Sequence, residues 1–569
     1  MGEFETGQRV FSLLMTVAAP IRRVSRFTIG LFFGLVAMVG SLLVTDYGIS
    51  WDEPTDHRNG LVSVRYVADL VAPAWAARQP VLQGLPPFES NLDNDHGVLF
   101  EMPLALLHVL QPGLDLGTFY QLRHFGVFLV TLGSLWFLFR LAVLRFRDER
   151  LGLLVVALFL ASPRFFAESF YNGKDLVFLA LFTTGTYTLA RLLARPTLGR
   201  AALHGLATAA AIDVRILGLL LVPATFVLLA VPGPSERLTA LFRRLIRVAA
   251  CYAGVTLVAT IAGWPYLWEH PLQHFLLAGR HMSHFPWVGQ VLYLGELYWA
   301  NGLPWHYAPV WIGLTTPGAY LLAAAVGLAA ISYRLLSRPL PFLRTLSGRL
   351  DVLLIGWLVA PLLLVMVLHS VLYDGWRHLY FVYPALLLLA VRGGLALHRA
   401  AQPLPRWRSL ARVAAVVAVL EVLVTVGRMV RMHPFEHVYF NYLTPAQAER
   451  LFERDYWGLS FRQGLEWLVR QRPTGTIPVD VSHLPLLENN KLLLSAADRQ
   501  RLTLDPPAAG RYFITAHRIV GHRSLSQLYA DSLGQEVFAI RADGARILTI
   551  FWRQQGQPLA QPVPHNQGK

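Results

Sequence analysis

Apolar residues in this chain gather into long unbroken runs, and do not recur at the short helical or strand period of a chain that folds around one water-soluble core. Stretches such as 27–44, 352–368 and 413–426 carry almost no charge. Extended slightly, each reaches the ~20 residues of helix that a ~30 Å hydrocarbon core demands. Roughly ten or eleven such runs are predicted as membrane helices. From residue 432 the pattern changes: a polar helix is predicted near 460–470, and short strands at 477–481, 511–515, 536–540 and 545–551. Asp543-Gly544 between the last two suits a hairpin turn. The chain therefore divides into a multi-span domain over 1–431, a small α/β domain over 432–553, and a Pro/Gln-rich tail over 554–569 predicted to be disordered.

Composition supports lipid as the main solvent, with 54% hydrophobic and 15% charged residues and a mean hydropathy of +0.44. A net charge of +15 would suggest nucleic acid for a soluble protein. Here the arginines fall in clusters between the apolar runs: 140–150, 191–200, 237–247, 334–349 and 399–412. If every cluster is cytoplasmic, each intervening stretch must hold an even number of crossings, and each does. The charge is thus topology, with no nucleic-acid partner.

That parity predicts about eleven spans, with the N-terminus inside and the C-terminal domain on the outer side. It also splits 201–231 into two short helices with a turn near Asp213, Val214 and Arg215. Four outer loops follow, at 46–120, 164–174, 264–307 and 371–377. Arg22, Arg23 and Arg26 precede the first run and no small-residue cleavage site follows, so an uncleaved first span is expected. The single cysteine, Cys251, falls in a predicted span.

Candidate chemistry concentrates on the outer side. The first loop opens with Trp51-Asp52-Glu53-Pro54-Thr55-Asp56-His57, three carboxylates just beyond a membrane helix. Charge at that depth needs a task or a partner. A helix start with Asp52 as cap and Pro54 in the first turn is the plain alternative. The same loop continues with Asp95, His96 and Glu101, in and beside an apolar stretch too short to span. A cationic group faces these acids: Arg123 and His124, Lys174 beside Asp175, Arg215, and Arg377 with His378. Of 50 basic residues only Lys174, Lys491 and Lys569 are lysine, which sets Lys174 apart. Such cations bind phosphate through charge-assisted hydrogen bonds, or pair with neighbours, Lys174 with Asp175 and Arg215 with Asp213. His281 with His284, and His433 with His437, suggest a metal, but no nearby cysteine or third histidine completes either set. Aromatics over 264–305 form an expected interfacial belt. No Walker loop, dinucleotide glycine pattern or nucleophile elbow is present.

In their order and topology, four elements resemble the GT-C membrane glycosyltransferases, the group that includes protein O-mannosyltransferases and the aminoarabinose transferase acting on lipid A. They are Trp51-Asp52-Glu53; Asp95-His96 with Glu101-Met102-Pro103; Ser162-Pro163 to Asn172-Gly173-Lys174-Asp175; and Tyr373-Asp374-Gly375-Trp376-Arg377-His378. His433 to Asn441 and Asp455-Tyr456-Trp457-Gly458 look like elements of bacterial members labelled mannosyltransferase-like. The resemblance implies a polytopic α-helical fold and transfer of a sugar from a polyprenyl-phosphate donor to a protein, glycolipid or cell-wall acceptor, with inversion. It gives Asp52 the part of general base, with Glu53 beside it. Lys174, Arg215 and Arg377 are then candidates for the phosphate, supported by Arg123, Asp175 and His378. Asp95, His96 and Glu101 are candidates for sugar or acceptor. Glu101-Met102-Pro103 departs from the family's acid and double proline. A divalent cation is the one cofactor this chemistry leaves room for. Two other classes compete: a transporter or flippase using the same charges, which the bare middles of most spans disfavour, and a non-catalytic assembly subunit.

Overall fold

The computed structural model describes residues 21–232, 236–283, 287, 289–402, 405–504, 511–518 and 534–553. The predicted tail at 554–569 and His284 lie outside them. Among the described residues eight helices are long and apolar enough to cross a membrane, from Arg26–Leu43 to Pro405–Met432, and the chain is a multi-pass membrane protein. Glu149–Leu160 and Pro163–Tyr171 pass the same test only as a pair bent by 76°, where Pro163 starts the second piece, the geometry of a broken span or of a re-entrant loop. Leu198–Val214 and Ile216–Ala230 form an antiparallel hairpin. His204 on one arm meets Thr225 on the other at 2.8 Å, and Gly218 packs on Ala211. At 1.5 Å per residue, 17 residues reach only ~26 Å, short of a full crossing. Eight spans, the bent pair taken as one crossing and the two hairpin arms together make the eleven of the arginine parity, and the hairpin's turn falls at Arg215.

Span starts carry their own caps. Asp115 accepts from the backbone N–H groups of Gly117 and Thr118, Asp148 from that of Arg150, and Thr345 from that of Gly348. Burial sorts the spans into layers. Asp175–Ala194 and Arg377–Ala401 are the central pair, each with 83% of its most apolar stretch covered, against 6% for Arg26–Leu43 and 11% for Pro405–Met432 at the rim. Helices Gly318–Ser337 and Tyr383–Ala401 touch backbone to backbone. A Cβ on Gly393 would fall 1.8 Å from the Ala323 carbonyl oxygen, so only glycine fits there.

At one end of the bundle the first loop folds into helix Glu53–Val71 and the short helix Glu101–Leu110, which pack on each other. The C-terminal domain covers the same end. Its sheet runs in the order Leu502–Thr503, Ile477–Val481, Arg511–Thr515, Ala545–Arg553, Gln535–Ala542. The first three strands are parallel and the last two pair antiparallel. Asp543 and Gly544 take φ of 49° and 84° in the hairpin turn, as their sequence predicts. Strand Leu502–Thr503 and a small hairpin, Gln290–Tyr293 with Glu296–Trp299, carry no sequence signal strong enough to predict them.

Docking of this domain fixes the start of the first loop. Trp51 donates its backbone N–H to the Trp457 carbonyl at 3.1 Å. The Asn490 side chain bonds both the N–H and the carbonyl of Ile49, at 3.0 and 3.1 Å. Asp455 anchors the domain's entry, accepting from the N–H groups of Gly458, Leu459 and Ser460 and from His437 at 3.0 Å. Burial pushes the Asp455 carboxyl up, but His437 and these donors outweigh it and hold it below the usual carboxylate range. His433 bridges Glu436 at 2.7 Å and Asp46 at 2.9 Å. Burial disfavours its charged form; the two carboxylates win and lift it to about 9. The two histidines of the metal-like spacing thus serve different carboxylates: His433 ties the end of the last span to the first loop, and His437 holds the entry of the C-terminal domain.

Candidate active site

Asp52 stands at the N-cap of helix Glu53–Val71 with Pro54 in the first turn, as the plain reading expects, yet its side chain caps nothing. It turns instead to Arg377, 325 residues away, which donates from Nη1 to Asp52 Oδ2 at 2.8 Å. The carboxylate is 29% exposed, whereas Arg377 is buried. Arg377 also reaches Asp175 at 3.3 Å and Asp374 at 3.3 Å. Its guanidinium packs over the Tyr373 and Trp457 rings, at 4.9 and 4.8 Å to their centroids. His378 follows it and meets Tyr373 edge-on at 4.7 Å.

Asp175 is a fully used acceptor. It takes Arg215, Arg377 and the Asn172 amide at 3.1 Å, while its own N–H donates to Asn172 at 2.8 Å. The expected pairing of Lys174 with Asp175 is therefore not formed, because arginines from two other helices occupy that carboxylate. Arg215 likewise bonds Asp175 and not Asp213, whose Oδ1 is buried without a partner. The ammonium of Lys174, half-buried, has no carboxylate within salt-bridge distance and no hydrogen bond among the described residues. It lines a narrow cavity of about 20 Å³ with Asp56, Asn59, His96, Phe100 and Glu101. Burial raises Asp56 to about 7 against the pull of Lys174 and Arg123.

Glu53, Glu101 and Arg123 form a closed knot. Arg123, with no exposed surface, bonds Glu101 through Nη2 at 2.6 Å and Nε at 3.2 Å, Glu53 at 3.1 Å, Asp56 at 3.4 Å and the Tyr171 carbonyl at 3.3 Å. Glu53 also accepts from the Ser50 N–H at 2.6 Å and contacts His124 at 2.8 Å. Burial pushes Glu53 up; His124 and Arg123 prevail and hold it below its ordinary value. Gly173 lets the chain pass this knot: a Cβ there would lie 2.3 Å from Arg123 Nη2.

Asp95 contacts His96 at 3.1 Å and also meets His281, tying the first loop to the third. Burial raises the Asp95 carboxyl, and the two histidines outweigh it to bring it below its usual range. Among the described residues no group of three His, Cys, Asp or Glu side chains could hold a metal ion. Arginines occupy the carboxylates of Asp175, Asp374, Glu53 and Glu101.

No family model matches this chain, and no curated protein does. Solved structures similar to it include ArnT from Cupriavidus metallidurans bound to undecaprenyl phosphate, at 14% identity and TM-score 0.46 over 92% of this chain and 98% of that one. The Archaeoglobus fulgidus oligosaccharyltransferase in the apo form is similar at 10% identity and TM-score 0.43, over 84% and 65%. At these values the likeness is distant, and the functional reading rests on the residues.

Three participants escape a linear reading. Asp374 and Gly375, with φ of 56° and 73°, make a left-handed turn that aims the Asp374 carboxylate at Arg377. Burial raises Asp374 while Arg518 and Arg377 oppose it, and the net shift is upward. Arg518 comes from the C-terminal domain: it donates to Asp374 at 2.9 Å and to the Tyr456 carbonyl at 3.0 Å, and lies over Trp51 at 5.5 Å. The domain therefore contributes a charge to the site, which nothing in its sequence singles out. Asp374 could have been found, since it opens the motif that ends in Arg377 and His378. Glu168 is the third: it accepts from Tyr380 at 2.8 Å, Tyr456 at 3.3 Å and Asn172 at 2.7 Å, joining the bent helix pair to the C-terminal domain.

Proposed function

We propose that this protein is an inverting glycosyltransferase that moves a sugar from a polyprenyl-phosphate donor to an acceptor on the outer face of a bacterial cytoplasmic membrane. One observation carries the reading: Asp52, a partly exposed carboxylate, is held by buried Arg377 through Oδ2 alone, while Oδ1 has no hydrogen bond among the described residues. Oδ1 is then available to take a proton. The acceptor hydroxyl oxygen attacks the anomeric carbon, its proton passes to Asp52, and the bond from that carbon to the phosphate oxygen breaks. The electron pair leaves on the phosphate, which departs already ionised and needs no general acid.

Cations receive that phosphate. Lys174 is uncommitted, and the Nε groups of Arg215 and Arg377 are buried without a hydrogen-bond partner, so donors are spare where negative charge would settle. Asp95, His96 and Glu101 bound the sugar or acceptor side. The cavity beside Lys174 has room for about one water, so a bound sugar requires it to widen. Asp52→Asn is expected to lower transfer by ~10²–10⁴, the usual worth of general base catalysis, with membrane insertion unchanged. Radiolabelled sugar transfer from a lipid-linked donor pool measures it, and full activity in the variant removes Asp52 as base. Activity that survives a chelator removes the divalent-cation expectation. Counter-transport in vesicles without covalent transfer would instead favour the flippase reading.

A further inference from the structure

The end of the bundle opposite Asp52 holds a second charged cavity, of about 310 Å³. Four arginines line it, Arg145, Arg334, Arg392 and Arg399, against a single carboxylate, Asp351. Asp351 is already spent: Arg145 grips both its oxygens, Nε to Oδ1 and Nη2 to Oδ2, each at 2.6 Å. Arg392 is 3% exposed, stands 3.7 Å from the same carboxylate, and its Nε has no hydrogen-bond partner. Arg334 and Arg399 are exposed at the mouth with no ion pair among the described residues.

The cavity also meets the start of helix Leu346–Val367, with Thr345 and Ser347 on its wall. Thr345 caps that helix, whose first turn adds partial positive charge to the arginines. Topology accounts for arginines scattered over this end, since a positive-inside bias needs only their number and side. It does not account for a buried, underbonded guanidinium and a helix start meeting around one void. A buried donor left unpaired costs free energy, which a bound anion would recover.

We propose that this cavity binds a phosphate group, carried by the headgroup of an anionic phospholipid. Phe146, Phe342 and Leu395 line the remaining wall, and Leu336 and Leu340 nearby are 82% and 63% exposed, giving acyl chains an apolar path away from the charged centre. The site lies at the far end from Asp52 and stands or falls independently of the proposed transfer.

The full-length protein in detergent, examined by native mass spectrometry, tests this with phosphatidylglycerol and phosphatidylcholine of identical chains. Wild type is expected to retain phosphatidylglycerol in preference. Arg334→Ala with Arg399→Ala should weaken that retention about tenfold or more, two interfacial arginines having been lost, with the lipid-free melting temperature unchanged. Arg392→Gln, which leaves the Arg145–Asp351 pair in place, should weaken it as well. A melting temperature raised by inorganic phosphate without lipid preference would identify free phosphate as the occupant of the same site. Equal retention of both lipids together with no effect of phosphate would overturn the proposal, as would undiminished retention in the double variant.

Discussion

Two groups of charge lie side by side at the Asp52 end and are built from the same residue types to opposite effect. In the Arg123 knot every guanidinium nitrogen meets a carboxylate or carbonyl oxygen, and the cation is spent inside the protein. In the arm through Asp52, Arg377 and Lys174 the chain stops short of closure: one carboxylate is partly exposed, one ammonium is unpaired, and two arginine Nε groups are underbonded. Saturation and not residue type separates a structural charge from an available one. Breaking a saturated buried pair strands the remaining charges, whereas removing an uncommitted charge leaves the fold intact.

The largest expected effect follows from the knot. Arg123→Met would leave Glu53, Glu101 and Asp56 crowded without their cation, at ~3–5 kcal/mol of stability, read as a much lower melting temperature or loss of membrane accumulation. A variant that accumulates and melts normally but fails only in transfer would erase the distinction between knot and arm. Lys174→Met makes the converse test. It should keep the melting temperature and cost ~10² in transfer rate, in line with losing one preorganised partner for developing charge. Unfolding of this variant would mean that Lys174 is structural after all.

Smaller effects probe how the C-terminal domain joins the arm. Arg518→Ala removes its contacts with Asp374 and Trp51 and is expected to slow transfer roughly tenfold, with the domain still docked through Trp457 and Asn490. Limited proteolysis checks the docking separately from rate. The smallest effect belongs to His433. Its folded pKa of about 9 lies above its unfolded value near 6.5. The stability it supplies is therefore complete below pH ~6.5 and disappears as pH rises through about 9. Between those limits the melting temperature should fall by on the order of 2 °C more in wild type than in His433→Gln. Parallel pH curves for the two proteins would show that the bridge from Asp46 to Glu436 contributes nothing.

Much of the architecture is legible in the chain because hydropathy and turn chemistry are local. The runs that become spans, the turn at Arg215, the short helix from Glu101 and the Asp543-Gly544 hairpin each depend on a few neighbouring residues. Residue types also mark where charge is expensive, which brings forward Asp52, Glu53, Lys174 and Arg377. Partners are another matter. Asp52 reads equally as a helix cap until packing brings Arg377 beside it, and Lys174 reads as the partner of Asp175 until Arg215 and Arg377 take that carboxylate. Arg518 gives no signal, since only the docking of the last domain carries it to Asp374. The sequence by itself determined a many-span helical bundle with a charged loop end and a small α/β domain. Tertiary structure alone decided which charges are spent and which are free, because Coulombic and hydrogen-bond energies act over a few ångströms between residues hundreds of positions apart.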